Sequence, residues 1–373
     1  MKKILYIMNE SWYWIKQRPH FIAEYLSKEY EVDVYCEKRY TKLVNNPVPD
    51  GMSVNEIFKF PFAHNPFFKK INSILQKEYL FRAKFKNTSE KYDLVWLSSH
   101  KHYQYIKQYI PKDFPVVYDC MDDILEFKGS KDTKKVWQNH FNSEKELYLR
   151  SNIVFCSSNA LKESLAERYG KKDKVFVVNN AIHINTSSEN TEAVNNIPKD
   201  LSDLFIKPFK KICYIGSISE WFDFDTLISA LKQNPGVMAV LIGPSDVSIP
   251  GFERLHYHPA VNHEIVMGIM KKADALIMPF QKTQLVMGVN PVKLYEYIYS
   301  EVPSISVAYP ETEIFEDYVY LYRNQNEFIN YIRLVQEGKL GFKQQKGLGV
   351  KYALQNTWEQ RTKQISEHIK EVL

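Results

Sequence analysis

Cysteine is scarce in this chain. Cys36, Cys120, Cys156 and Cys213 are the only four in 373 residues, and no two of them have C-x-x-C or zinc-finger spacing. That excludes a dithiol redox motif and a disulfide framework. Each lies in a short apolar run that reads as a buried strand, so free thiols in a reducing compartment are expected. Long hydrophobic runs are missing too, and none approaches the roughly 20 residues of a membrane span. The N-terminal run through Ile7 meets Asn9 and Glu10 before an export-signal core has formed, which points to a cytoplasmic protein. No G-x-G-x-x-G, H-E-x-x-H, internal repeat or low-complexity tract occurs, so a dinucleotide cofactor and a zinc-protease site find no support. The net charge is only +5. It argues weakly for an anionic partner, and no nucleic-acid partner is expected.

What is present is an alternation of short β-branched or aromatic runs with helical patterns, the signature of parallel sheets with crossover helices. The length suits two domains. Strands are expected at Lys3 to Met8, Val32 to Cys36, Leu94 to Ser98, Val116 to Cys120, Ile153 to Ser157 and Val175 to Val178. A second series is expected at Ile212 to Ile215, Val237 to Ile242, Ala275 to Met278 and Ser304 to Val307. A polar stretch separates the two series. The reading is therefore an α/β chain of two Rossmann-like domains with a cleft between them: 1–184, a linker at 185–208, and 209–356. The last helix, 357–373, is long enough to return to the first domain. In open parallel sheets, ligands bind outside the carboxyl ends of the strands.

The segment Asn290-Pro-Val-Lys-Leu-Tyr-Glu296 carries the most chemistry. Asn290 is a favoured N-cap and Pro291 suits the first helical position. Lys293 then falls in the first turn, where the helix dipole opposes a cation unless an anion sits between them. Glu296, three residues on, shares its face and as a carboxylate can accept two ribose hydroxyls. The plainer alternative is a surface ion pair between the two. Gly216-Ser217, after the first strand of the second domain, permits close backbone approach and offers a hydroxyl donor. Backbone groups near Val261 can read a base edge. Asp223-Phe-Asp225 has the spacing of a D-x-D metal motif but reads better as a helix start.

In the first domain, Asp119-Cys-Met-Asp122-Asp123 ends a strand with three carboxylates. Clustered acids raise one another's pKa, which suits Asp122 or Asp123 to act as a base. Arg18 and His20 open a helix, with His20 as a second-choice base. Trp12 and Trp14 stand on the loop before it, where aromatic faces can pack on sugar C–H surfaces. Three histidines in His256-Tyr-His-Pro-Ala-Val-Asn-His263 lack metal-ligand spacing. Finally, Phe67 to Lys86 mixes aromatic and aliphatic residues with six cations against Glu78 alone. It reads as a basic amphipathic helix, either packed on the core or lying on an anionic membrane.

These motifs together resemble a GT-B glycosyltransferase of the family-4-like kind, the group that includes teichuronic-acid and exopolysaccharide sugar transferases. The resemblance rests on Arg18-Pro19-His20, the acid cluster, Gly216 to Asp223, Leu241-Ile-Gly-Pro244, Met278-Pro-Phe280 and Asn290 to Glu296 followed by Val302-Pro303. It implies a nucleotide-sugar donor, most often a UDP-sugar, held by the second domain with Lys293 on the diphosphate and Glu296 on the ribose, and no metal cofactor. The acceptor, a lipid-linked or polysaccharide hydroxyl, would bind the first domain. It also implies work at the inner membrane face. Two departures matter: the first glutamate of the E-x7-E pair of retaining relatives falls on Gly288, and the phosphate-neutralising Arg and Lys are replaced by Glu220-Trp-Phe-Asp223. The first leaves inversion as the expectation; the second shifts phosphate charge to Lys293, the helix N–H groups and Arg18. The alternatives are a nucleotide-sugar epimerase or hydrolase on the same scaffold, or a non-catalytic partner subunit.

Overall fold

In the computed structural model, which describes residues 1–38, 46–58, 60, 65–75, 85–184 and 197–373, the short apolar runs become strands of two parallel sheets. The first sheet comprises β1 (Lys3–Met8), β2 (Glu31–Glu37), β3 (Met52–Ile57), β4 (Leu94–Leu97), β5 (Val116–Cys120), β6 (Ile153–Cys156) and β7 (Val175–Val177). Its spatial order is β3-β2-β1-β4-β5-β6-β7. The second comprises β8 (Lys210–Ile215), β9 (Val237–Ile242), β10 (Leu255–His258), β11 (Ala275–Met278), β12 (Ser304–Val307) and β13 (Tyr320–Tyr322). Its order is β10-β9-β8-β11-β12-β13. In each, the direction of winding reverses beside the first strand, between β1 and β4 and between β8 and β11. Such a reversal opens a crevice at the carboxyl edge of the sheet.

The strands form because their residues are buried on both faces. Every residue of β4, β5, β6, β9, β11 and β12 is buried, and each fully buried Leu, Ile or Val side chain contributes about 1.5–3 kcal/mol. Three strands absent from the sequence reading, β3, β10 and β13, are all at sheet edges. β3 mixes polar with apolar positions in Met52-Ser-Val-Asn-Glu-Ile57 and leaves Ser53 exposed, β10 carries two histidines, and β13 is only three residues long, so none shows the continuous apolar run of a central strand.

The chain divides into two compact units. One is Met1–Asn180 with Trp358–Leu373, the other Ala181–Thr357. The last helix, Trp358–Lys370, belongs to the first unit. Trp358, fully buried, stacks on Phe21 with ring centroids 5.3 Å apart, and His368 stacks on Phe176 at 3.6 Å. Part of the expected linker is ordered structure: Lys199–Phe205 is a helix that buries Leu201, while 185–196 lies outside the described residues. Of the basic segment expected at 67–86, Pro66–Ile74 is helical and capped by Asn65, and 76–84 lies outside the described residues.

Candidate functional site

In the second unit, the loop after β8 and the helix Val292–Ser300 meet at the carboxyl edge of the sheet. The helix is tied to it through Tyr297, whose hydroxyl accepts from the Ile215 N–H at 3.3 Å and donates to the Ile277 carbonyl at 3.4 Å. Its far end is fixed as well. Glu301 takes a left-handed conformation (φ 56°) and accepts from the N–H groups of Gly347 and Gly349 at 2.6 and 3.1 Å.

The start of this helix differs from the sequence reading. Pro291, not Asn290, occupies the cap position, and no side chain caps the helix. Asn290 is buried; its carbonyl oxygen accepts from the Tyr295 hydroxyl at 3.3 Å, and its amide lies 3.5 Å from Glu311. A side chain drawn into the core cannot also fold back over the first turn. The consequence is an N-terminus without a side-chain cap, where the dipole favours an anion. Lys293 stands in that first turn, half-buried.

Gly216 brings the β8 loop against Lys293. A Cβ there would lie 3.2 Å from Lys293 Cε and 2.8 Å from the Tyr214 hydroxyl, which donates to the Ser217 carbonyl at 2.8 Å. Ser217 itself is exposed beside them. Gly243, at φ 146°, closes the loop from beneath: a Cβ would fall 2.0 Å from the Gly216 carbonyl oxygen. No side chain fits there.

Glu296 completes the group. Its carboxylate receives Lys293 Nζ at 2.9 Å on one oxygen and lies 3.7 Å from His263 Nε2 on the other. Although burial works in the opposite direction, Lys293 above all, with the His263 ring beside it, pushes its pKa down to about 2. It is a fixed carboxylate at any physiological pH. Val261 is half-buried against the core of this unit, and His263, two residues on, faces Glu296. Sequence reading missed His263, treating it within a histidine cluster. The cluster is dispersed: His258 faces Asp200 at 3.5 Å, whereas His263 faces Glu296. Asp223 caps its helix by accepting from the Thr226 N–H at 3.0 Å, as capping chemistry anticipates for the D-x-D stretch.

The first unit sorts its candidates sharply. Asp119 is fully buried and held by Arg18, whose Nε and Nη2 donate at 3.0 and 2.8 Å. Arg18 Nη1 donates to the Val178 carbonyl at 2.6 Å. The expectation that Arg18 meets phosphate is therefore corrected, because its buried guanidinium is already committed to a buried acid and a strand end. Asp123 is also corrected as a base. Arg168 grips both its oxygens, and the Leu125 N–H and Ser164 hydroxyl donate to it at 3.2 and 3.4 Å.

Asp122 remains. Solvent reaches its side chain, yet the surrounding protein raises its pKa to about 6, Arg18 opposing and Asp123 and Asp119 adding to the rise. His20 is fully buried; its Nδ1 accepts from the Gln17 N–H at 3.2 Å, which leaves Nε2 to donate to the Ser11 carbonyl at 3.0 Å. Burial lowers its pKa to about 4. With both nitrogens engaged it is a structural imidazole, not a base. Trp12 is likewise fully buried, packed 5.4 Å from the His20 ring, so it offers no face to a sugar. Trp14 is half-buried on the same loop. His100, absent from the sequence reading, begins a helix at the carboxyl end of β4 and hydrogen-bonds His140 at 2.8 Å. Only its place after an apolar strand signalled it.

Among the described residues, no group of three or more His, Cys, Asp or Glu is arranged to hold a metal ion. No described helix is long and apolar enough to cross a membrane.

Residues 20–186 match the family model for Glycosyltransferase Family 4. TuaH of Bacillus subtilis (strain 168), whose name assigns it provisionally to teichuronic acid biosynthesis as a glycosyltransferase, is 24% identical over 267 residues. The match covers 68% of this chain and 66% of that protein, just under two thirds of its length. Among solved structures, sucrose-phosphate synthase from Thermosynechococcus elongatus superposes with a TM-score of 0.72 at 15% identity, covering 100% of this chain and 99% of that one. Alr3699/HepE of Anabaena, in complex with UDP and glucose, gives 0.69 at 14% identity, covering 99% and 100%. At these identities the structural likeness establishes a shared two-sheet architecture.

Proposed function

We propose that this chain is a GT-B glycosyltransferase of the family-4 type that moves a sugar from a UDP-sugar to a hydroxyl of a lipid-linked or glycan acceptor in surface-glycan synthesis, a reading supported by the family-model match and the two-sheet architecture. The observation that carries the donor assignment is Lys293 in the first turn of a helix without a side-chain cap, with Gly216 against its stem. The diphosphate lies at that N-terminus, neutralised by Lys293 and by the helix N–H groups, with Ser217 beside it. Glu296 accepts the two ribose hydroxyls, and the backbone near Val261 meets the base. As the glycosidic bond breaks, charge grows on the departing diphosphate. Fixed donors already aimed there stabilise it without a metal ion.

The acceptor side belongs to the first unit. Asp122, accessible and half-ionised near pH 6, takes the proton of the attacking hydroxyl, and Trp14 lines the approach of the acceptor sugar. Gly288 in place of a first E-x7-E glutamate supports an inverting transfer. Peripheral work at the inner membrane face is supported by Pro66–Ile74, where Phe67 is 67% exposed and Ile74 48% exposed, with Lys70 beside them. The TuaH match supports the surface-glycan setting.

The test is a panel of UDP-sugars assayed for UDP release with a membrane lipid extract as acceptor. One donor should release UDP only when the extract is present. Fast epimerisation or stoichiometric free sugar without acceptor would instead make it an epimerase or hydrolase, and no turnover with any donor would oppose the assignment.

A further inference from the structure

Lys293 has two claims on it in the proposed donor site. In the protein alone its ammonium sits 2.9 Å from Glu296, yet the same ammonium is the cation available to a diphosphate. When it turns to phosphate, Glu296 is left as a half-buried carboxylate close to a second anion. A carboxylate so placed tends to protonate, and a protonated acid accepts ribose hydroxyls poorly.

We infer that His263 is the positioning residue that holds Glu296 ionised and aimed at the ribose while Lys293 serves the diphosphate. The inference rests on the reading of Glu296 as the ribose ligand. Its geometry is specific. His263 Nε2 lies 3.7 Å from the Glu296 oxygen that Lys293 does not use. His263 opens the helix His263–Met270, whose entry is fixed by Asn262 accepting from the Glu264 N–H at 3.2 Å. The two residues border one hollow with Val266, Met267 and Met270 on its apolar side. His263 is therefore held on Glu296 by backbone structure rather than by a flexible stem. Its side chain is 56% exposed, so its proton exchanges freely with solvent.

The charges around it give the direction of the coupling. Glu264 lies next to it on its own helix; Glu296 and Tyr299 border the same hollow from the helix Val292–Ser300, Lys293 sits on the other oxygen of Glu296, and His183 borders the hollow from the segment 182–184. Phosphate binding draws Lys293 away and adds negative charge, and both changes favour protonated His263. UDP binding accordingly takes up a proton at His263, whereas uridine, which leaves Lys293 on Glu296, does so much less.

Calorimetric titration of UDP into the full chain at pH 6, 7 and 8, each in two buffers of different ionisation enthalpy, reads this directly. Comparing wild type with His263→Asn at each pH cancels the titration of UDP itself. The wild type should bind UDP about threefold to fivefold more tightly than the variant at pH 6, the size of one partly solvated ion pair. That advantage should fade by pH 8, and at pH 7 the wild type should take up more protons than the variant on binding UDP. His263→Lys, a fixed charge, should restore tight binding without the pH dependence. If His263→Asn parallels the wild type from pH 6 to 8, with equal proton uptake, the inference is overturned. Glu296→Gln in the same series separates the two levels: weak binding there preserves the ribose reading, and unchanged binding removes that reading and this inference with it.

Discussion

Replacing Glu296 with Gln keeps the shape of the side chain and removes one charge, so the effect on each part of the donor can be worked out. The carboxylate carries a pKa of about 2 and is held by Lys293 at 2.9 Å with His263 at 3.7 Å. In the proposed complex it accepts two ribose hydroxyls. A hydrogen bond to a charged acceptor is worth about 1 kcal/mol more than one to a neutral acceptor. Uridine should therefore lose about 2 kcal/mol, or roughly thirtyfold in affinity. UDP should lose less, about fivefold, because Lys293 is released from its ion pair and is wholly available to the phosphates. Inorganic diphosphate should bind the variant at least as well as the wild type. Titrations of the three ligands, by calorimetry for UDP and by ligand-observed NMR for uridine, give this ordering. Equal losses for uridine and diphosphate would refute the division of labour between Glu296 and Lys293. Unchanged uridine binding would remove Glu296 from the ribose altogether.

Other consequences are testable in the first unit. Asp122→Asn should cut turnover by about 10²–10⁴-fold while leaving UDP affinity unchanged, and wild-type turnover should rise with pH through about 6; an active variant would mean that the departing diphosphate, not Asp122, receives the proton. Arg18→Met should destabilise the fold by about 3–5 kcal/mol in denaturant titrations, because Asp119 is left buried and unpaired; a selective loss of UDP affinity in a fully stable variant would show that Arg18 does reach the donor. His20 is held neutral, its pKa lowered from 6.5 to about 4. The unfolded chain binds that proton first, so stability falls as pH drops from about 6.5 towards 4, by up to about 3 kcal/mol. His20→Gln should flatten that part of the thermal-midpoint profile, and an unchanged slope would show that the acid lability arises elsewhere.

The central strands were legible because burial on both faces forces continuous apolar runs. Val116-Val-Tyr-Asp-Cys120 and Val237-Met-Ala-Val-Leu-Ile242 could be assigned to within a residue. The strand Tyr320–Tyr322 was not, since three residues are too few to show a period or a continuous apolar run. Residue type and spacing placed Gly216, Lys293 and Glu296 in one neighbourhood. What spacing does not contain is competition for the same side chain. Asn290 has every property of an N-cap, and the core takes it through Tyr295 and Glu311. Arg18, Asp123 and His20 have suitable chemistry and are bound to partners 101, 45 and 9 residues away in sequence. Those pairings exist only once the chain is folded. His263 escaped for the opposite reason: its role depends on a carboxylate 33 residues later, and nothing local in His256 to His263 distinguishes it from its neighbours.

Lys293 in the first turn of its helix is the point on which the donor assignment rests. Titrating UDP calorimetrically into the wild type and into Lys293→Ala measures it directly. Loss of a charge-assisted phosphate contact of about 2–3 kcal/mol predicts affinity weaker by roughly thirtyfold to a hundredfold, with the thermal midpoint little changed. UDP binding equal to that of the wild type would contradict the account.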